Sequence, residues 1–477
     1  MTTDENLSMT PDNDKAPQRR KRPRKGPIVG ILLLLFLLAG IGAGAWWYLF
    51  LRFEESTDDA YVAGNVLRIM PQVSGKVVAV DVDDNDMVAA GQTLVVRHPR
   101  ELHTVTSGES VYSIALRYGL SVRTLYQNNP ALGGRSALYP GQTLVIAYDD
   151  TPTRTLAVNA YSYPFIRGGL LDAALPYLTY LTPFTYGINA DGTLLPLADE
   201  WLLAAAGQYR TAALMHLSTL TEEGRFDNAR STLILEDADA QDALVQSILE
   251  TVQARHYFGL DVDFEYVLPE QREAYAAFIT RLREALNPLG CPVVVALAPK
   301  TSAAQRGLLY EAHDYALLGA AANAVFLMTY EWGYAYGPPM AVAPLGQVRA
   351  VLDYALTAVA PEKIFMGIPL YGYDWPLPFV SGETRAESLS PVQAIERALR
   401  HDIAIQYDAA AQAPYYHYTD RGGREHAVWF EDARSIEAKL RLTDEYHLQG
   451  VGYWNLTRPF PQNWAVLASL FDIETLL

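Results

Sequence analysis

Eight short aliphatic runs between residues 154 and 477, separated by stretches of helical character, constrain this chain more than any other feature. They are Leu156–Tyr161, Tyr180–Tyr186, Thr211–Leu217, Gly259–Glu265, Pro292–Ala298, Ala324–Tyr330, Lys363–Leu370 and Gly450–Leu456. Runs of about four to eight residues alternating with helical segments are the pattern of parallel βα units. Eight in succession predict an α/β fold, a (β/α)8 TIM barrel over 154–477, whose chemistry gathers at the C-terminal ends of its strands. A long connection after the seventh run, 376–432, carries a turn signal at Ser381-Gly-Glu and a Tyr415-Tyr-His-Tyr run. It reads as a small subdomain shaping the cleft.

The fourth run is the acidic one. In Gly259-Leu-Asp-Val-Asp-Phe-Glu, residues two apart share a face, so Asp261, Asp263 and Glu265 point one way while Leu260, Val262 and Phe264 point the other. On the inner face of a barrel, three carboxylates repel one another and lose hydration, which predicts a raised pKa and a retained proton on at least one of them. The plainer alternative is an edge strand with a solvated acidic face. The aliphatic setting and the seven companion runs favour the inward arrangement.

This strand resembles the signature of family 18 glycoside hydrolases, written Asp-Gly-x-Asp-x-Asp-x-Glu, with Gly259, Asp261, Asp263 and Glu265 at matching positions and Phe258 in place of the first Asp. Met328-Thr-Tyr330 at the end of the sixth run and Trp454 at the end of the eighth strand agree, and Glu331 stands where many members have Asp. The phrase Met328-Thr-Tyr-Glu-Trp-Gly-Tyr-Ala-Tyr-Gly-Pro-Pro-Met-Ala-Val-Ala-Pro is similar to the branch that bears LysM modules and cleaves spore-cortex peptidoglycan fragments. The resemblance implies substrate-assisted retaining hydrolysis, in which the sugar's acetamido carbonyl attacks its own anomeric carbon and no protein nucleophile is used. It implies Glu265 as general acid and base, Asp263 as the group orienting the acetamido N–H, Asp261 as its modulator and Tyr330 as a donor to the acetamido carbonyl. Trp454, Met328, Glu331, Tyr161, Tyr186 and Trp332 are then candidate substrate-binding residues. Phe184 and Trp375 serve equally as cleft walls or as packing, and His216 reads as a core or rim histidine. No cofactor and no metal site is implied.

Residues 102–147 carry a different pattern. Ser110 is placed to cap a helix through Val111, Ile114, Ala115 and Tyr118 that ends at Gly119; Ser121 is placed to cap a second, and Tyr139-Pro-Gly-Gln leads into a closing strand. The strand, helix, helix, strand order resembles a LysM module, which implies binding of N-acetylglucosamine glycans such as peptidoglycan or chitin through the loops Ser107–Val111 and Ala137–Gly141.

The N-terminal part reads as three pieces. Residues 1–26 form a basic tail, and 27–51 hold no charged residue. That apolar length suits a membrane span, with Trp46, Trp47 and Tyr48 as an interfacial belt and the basic tail cytoplasmic. A cleaved signal peptide and a buried core helix are the alternatives. This predicts a single-pass membrane protein with its catalytic domain on the outer, periplasmic or cell-wall side. Residues 55–98, through Thr57-Asp-Asp-Ala-Tyr-Val-Ala-Gly-Asn, Pro71-Gln-Val-Ser-Gly-Lys-Val and Asp84-Asn-Asp-Met-Val-Ala-Ala-Gly-Gln, resemble the first half of the lipoyl-like domain of membrane fusion proteins, the adaptors of efflux pumps. The hairpin and second half of that family do not follow, and the junction near Arg100 also permits separate histories for 1–98 and 102–477.

The net charge of −17 argues against nucleic acid as a partner, because phosphate binding depends on Lys and Arg. One cysteine, Cys291, excludes a disulfide framework and a Cys-rich zinc site. The sequence therefore points to a membrane-anchored N-acetylglucosaminidase acting on peptidoglycan, with a chitinase or chitooligosaccharide hydrolase, a non-catalytic glycan-binding protein and an efflux adaptor as rivals.

Overall fold

The computed structural model describes residues 99–132, 134, 136–148, 152–221 and 225–477. The basic tail, the apolar segment 27–51 and the lipoyl-like stretch 55–98 lie outside the described residues.

The first described unit is the small βααβ module. Strands Pro99–Thr104 and Thr143–Tyr148 pair antiparallel around helices Val111–Arg117 and Val122–Asn128. Ser110 starts the first helix with a capping box: its hydroxyl accepts from the Ser113 N–H at 3.1 Å and its own N–H donates to the Ser113 hydroxyl at 2.9 Å. Ser121 caps the second helix through the Thr124 N–H at 2.9 Å. Val111, Ile114, Leu125, Leu144 and Ile146 form the core. Asn129, just past the second helix, donates to the carbonyls of Leu125 and Val145 and accepts from the Val145 N–H, each at 2.8 Å, and so ties helix to closing strand. Backbone bonds from Val105 to Gln142 and from Gly141 to Val105, both 2.8 Å, hold the two expected glycan loops side by side.

Eight parallel strands then close a barrel: β1 Arg154–Ser162, β2 Tyr180–Pro183, β3 Ala212–Ser218, β4 Gly259–Asp263, β5 Val293–Leu297, β6 Ala324–Leu327, β7 Ile364–Pro369 and β8 Gly450–Trp454. Neighbours pair in chain order, and β8 returns to β1 through Gly450–Ala157 and Tyr453–Ala160. Each of the eight aliphatic runs overlaps one strand. The strands are almost wholly buried, as expected where helices cover the outside and side chains fill the inside. Gly259 is required for this closure: a Cβ there would lie 2.6 Å from the Pro292 carbonyl oxygen. Just past β4, Phe264 stacks on Tyr275 and Phe278 of helix Arg272–Leu286, with ring centroids 5.7 Å apart in each case. Burying such a ring stabilises the fold by roughly 1.5–3 kcal/mol.

The connection after β7 is a subdomain of five antiparallel strands, Gly372–Pro376, Glu387–Leu389, Gln406–Asp408, Ala413–Thr419 and Glu425–Trp429, with helix Pro391–Arg400. It has its own core of Leu389, Ala394, Ile395, Tyr416, Val428 and Phe430. The buried Asp374 accepts from the Tyr418 hydroxyl and from His426 Nδ1, both 2.7 Å, and pairs with Arg397. The βααβ module meets the barrel through Gln127 Nε2 on the Pro176 carbonyl at 2.7 Å and the Tyr209 hydroxyl on the Gly134 carbonyl at 3.3 Å. Pro176 and Tyr209 precede β2 and β3, so the module contacts the end of the barrel opposite the strand C-termini.

The expected single-pass membrane location is corrected. Among the described residues no helix is long and apolar enough to cross a membrane. The longest described helix, Ala238–Arg255 with 18 residues, carries Asp239, Asp242, Glu250 and Arg255. The single-pass assignment is not retained.

Candidate active site

Asp261 and Asp263 are the inward residues of β4 and are buried, with Asp263 at the strand's last position and Glu265 two residues beyond it, half-buried at the barrel mouth. The expected alternation holds, but the strand stops two residues short of Glu265. That places the outermost carboxylate on the rim.

Electrostatics follows from burial. Asp261 is pushed up to about 7 by loss of hydration, opposed by the Tyr161 hydroxyl, which donates to its Oδ2 at 2.6 Å. Asp263 is pushed well above the usual carboxylate range by burial and by the charges of Glu265 and Asp261. Glu265 is pushed up to about 7 by burial and by the neighbouring Glu331. Oδ1 of Asp261 and Oδ1 of Asp263 have no hydrogen-bond partner among the described residues. The neighbouring imidazole of His216 brings no cation: burial drives it down to about 3, and its Nε2 lies 3.8 Å from Asp263 Oδ2, beyond hydrogen-bond range. Its Nδ1 pairs with the Thr185 hydroxyl at 2.6 Å, so His216 is a buried core residue anchored through that nitrogen.

Tyr330 stands three residues past β6, buried beside these carboxylates. Burial, then the charges of Asp263 and Glu265, hold its hydroxyl well above the usual phenol range, so it keeps its proton and remains a donor. A cavity of about 450 Å³ is lined by Tyr161, Phe184, Asp263, Glu265, Met328, Tyr330, Glu331 and Trp454 among others. A second, of about 790 Å³, is lined by Glu265, Tyr266, Gln305, Met328, Tyr330, Glu331 and Trp332 among others. The two share Glu265, Met328, Tyr330 and Glu331. Trp454 forms part of the first wall with Phe184 and Tyr163, ring centroids 4.8 and 5.9 Å away.

Most of the expected residues therefore converge. Tyr161 does so with its hydroxyl spent on Asp261. Tyr186 does not: its hydroxyl donates at 2.9 Å to the buried Asp199, which Tyr257 and the partly exposed Arg255 also engage, and it lines neither cavity. Trp375 is packed in the core, its Nε1–H on the Gly337 carbonyl at 2.8 Å. Phe258, the departure from the signature, packs on Tyr180 with ring centroids 5.9 Å apart, away from the mouth. The sequence reading missed Tyr371 and Tyr373, whose hydroxyls both donate to Glu331 Oε1, the latter at 3.0 Å. Their place just beyond β7 was the available signal, since the ends of barrel strands are where site residues fall.

A column of carboxylates rises to the mouth of a closed barrel beside an aromatic wall, an arrangement suited to a barrel enzyme doing acid–base chemistry on a sugar. The profile "Glycosyl hydrolases family 18" matches residues 221–458, and the LysM domain profile matches 103–147. The "Cortical fragment-lytic enzyme" of Bacillus cereus is 38% identical over 427 residues, covering 78% of this chain and 99% of that one. The crystal structure of the Bacillus cereus spore cortex-lytic enzyme SleL is similar with a TM-score of 0.69 at 37% identity, covering 83% of this chain and 92% of that one. A short stretch of 61 residues, 13% of this chain and 16% of the other, is 49% identical to the "Multidrug export protein EmrA" of Escherichia coli, a limited counterpart to the adaptor-like wording near the N-terminus. The chain belongs to the glycosyl hydrolases family 18 and is a glycosidase bearing a LysM domain.

Proposed function

We propose that this glycosidase cleaves β-1,4 bonds at N-acetylglucosamine in peptidoglycan, of the kind found in spore cortex, by substrate-assisted retaining catalysis. The barrel of 154–477 is the catalytic domain in this reading, and the LysM module of 102–147 holds the enzyme on its polymer, which raises its local concentration there. The observation that carries the reading is the column Asp261, Asp263, Glu265, with Glu265 where the two cavities meet.

The scissile oxygen sits at that meeting point, with the N-acetylglucosamine ring in the cavity bordered by Trp454. Glu265, its proton retained by burial and by Glu331, protonates the leaving oxygen. The acetamido carbonyl closes on its own anomeric carbon to give an oxazolinium ion. The Tyr330 hydroxyl donates to that carbonyl oxygen, and Asp263 accepts from the acetamido N–H and offsets the positive charge. Asp261, fixed by Tyr161, sets how much charge Asp263 carries. Glu265, now ionised, takes a proton from the incoming water, and the product keeps the β configuration.

Peptidoglycan is favoured over chitin by the similarity to cortex-lytic enzymes over most of both chains. The test is mass spectrometry of peptidoglycan digests with NMR of the first products. New reducing-end N-acetylglucosamine in the β form is expected. Reducing-end N-acetylmuramic acid, or initial α product, overturns the reading.

A further inference from the structure

We propose that His313 is a positioning residue for Glu265, acting as a neutral clamp that fixes the carbonyl of Phe264 and so the direction in which the next side chain leaves the barrel. His313 is fully buried on the segment leading into helix Tyr315–Ala321. Its Nδ1 lies 2.8 Å from the backbone N of Ala298, just past β5, and its Nε2 lies 3.1 Å from the Phe264 carbonyl oxygen, just past β4.

The tautomer follows from the partners. A backbone N–H only donates, so Nδ1 is the acceptor; a carbonyl oxygen only accepts, so Nε2 carries the hydrogen. One ring thus joins the ends of two adjacent strands at the barrel mouth. Its own segment is held in turn: Lys300 Nζ donates to the His313 carbonyl at 3.1 Å, the Tyr315 hydroxyl donates to the Ala298 carbonyl at 2.7 Å, and the Lys300 N–H donates to the Tyr315 hydroxyl oxygen at 2.9 Å. Burial drives His313 down to about 4, so the neutral form persists near neutral pH.

Glu265 has no strand pairing of its own because β4 ends at Asp263. The residue before it is held at its ring by Tyr275 and Phe278 and at its carbonyl by His313; the residue after it, Tyr266, adopts φ of +57°. Without the imidazole bond the Phe264 peptide can rotate about its anchored ring, and the carboxyl would leave the line between the two cavities. Misplacing a reacting group by about 1 Å costs on the order of 100-fold in rate.

The inference rests on the reading of Glu265 as the acid. The test measures kcat, KM and thermal melting of the full chain on soluble peptidoglycan fragments for wild type, His313→Asn, His313→Gln and Glu265→Gln. Asn keeps an acceptor near Nδ1 but cannot reach Phe264, whereas Gln places an amide N–H near Nε2. His313→Asn is expected to lose about 10- to 100-fold in kcat with KM within about twofold, and His313→Gln to recover most of the loss. A wild-type kcat for His313→Asn, a loss seen only in KM, or a Gln variant no better than Asn overturns the proposal. If His313→Asn does not melt cooperatively, His313→Gln decides: a kcat within about tenfold of wild type at unchanged KM supports the clamp, and background turnover overturns it. Wild-type turnover by Glu265→Gln overturns both readings; an inactive Glu265→Gln beside an unimpaired His313→Asn overturns this one alone.

Discussion

The Tyr161 hydroxyl donates to Asp261 Oδ2 at 2.6 Å, and both residues are buried beneath the cleft. This bond favours the charged form of Asp261, yet the carboxyl still sits at about 7, above the 3.8 of an exposed aspartate, because lost hydration outweighs one hydroxyl. The folded state therefore binds a proton more tightly than the unfolded chain. The stability linked to Asp261 is fully present below 3.8 and is lost as the pH rises through about 7. His216 and His313, pushed down, act in the opposite sense at acid pH. The readout is therefore the difference between two proteins: the melting temperature of Asp261→Asn minus that of wild type is expected to increase from pH 4 to pH 8. A constant difference contradicts the buried-carboxyl account.

Glu331, held by Tyr371 and Tyr373, raises Glu265 through its negative charge. A general acid works only while protonated, so kcat/KM is expected to fall as the pH rises through about 7. Glu331→Gln removes the repulsion and should move that alkaline limb to lower pH. A pH–rate profile in which the limb stays in place would separate Glu331 from the acid.

Trp454 borders the smaller cavity against Phe184, Tyr161 and Tyr163. Trp454→Ala opens that wall and is expected to lower kcat/KM by roughly tenfold or more, a tenfold loss corresponding to about 1.4 kcal/mol. Steady-state kinetics on muropeptides checks this, and an unchanged kcat/KM would place the sugar elsewhere.

In the LysM module the three bonds of Asn129 have no replacement in Asn129→Ala. Leaving buried backbone groups unpaired costs about 1–3 kcal/mol each at most. The variant should lose amide protection in residues 122–148 by hydrogen exchange, and also its retention on insoluble peptidoglycan, while turnover of short soluble fragments stays near wild type.

Much of this was legible in the sequence for physical reasons. The eight strands announced themselves because parallel strands buried on both faces are continuous aliphatic runs, and Ser110 and Ser121 because helix starts need an oxygen acceptor. The acidic column was visible because the strand period is two. What the sequence hid are the contacts made across the barrel mouth. Tyr161 to Asp261 spans 100 residues, Tyr371 to Glu331 spans 40, and His313 to Phe264 spans 49. No local pattern encodes such pairs. Tyr186 misled for the same reason: its position near a strand end was right, but Asp199, 13 residues on, claims its hydroxyl.

The most direct measurement is kcat for Glu265→Gln on peptidoglycan fragments, with binding of the same fragments followed separately. An amide keeps the shape and cannot deliver the proton, so the account predicts a fall of about 10²- to 10⁴-fold in kcat with affinity preserved. Turnover near the wild-type rate in a correctly folded Glu265→Gln protein would contradict it.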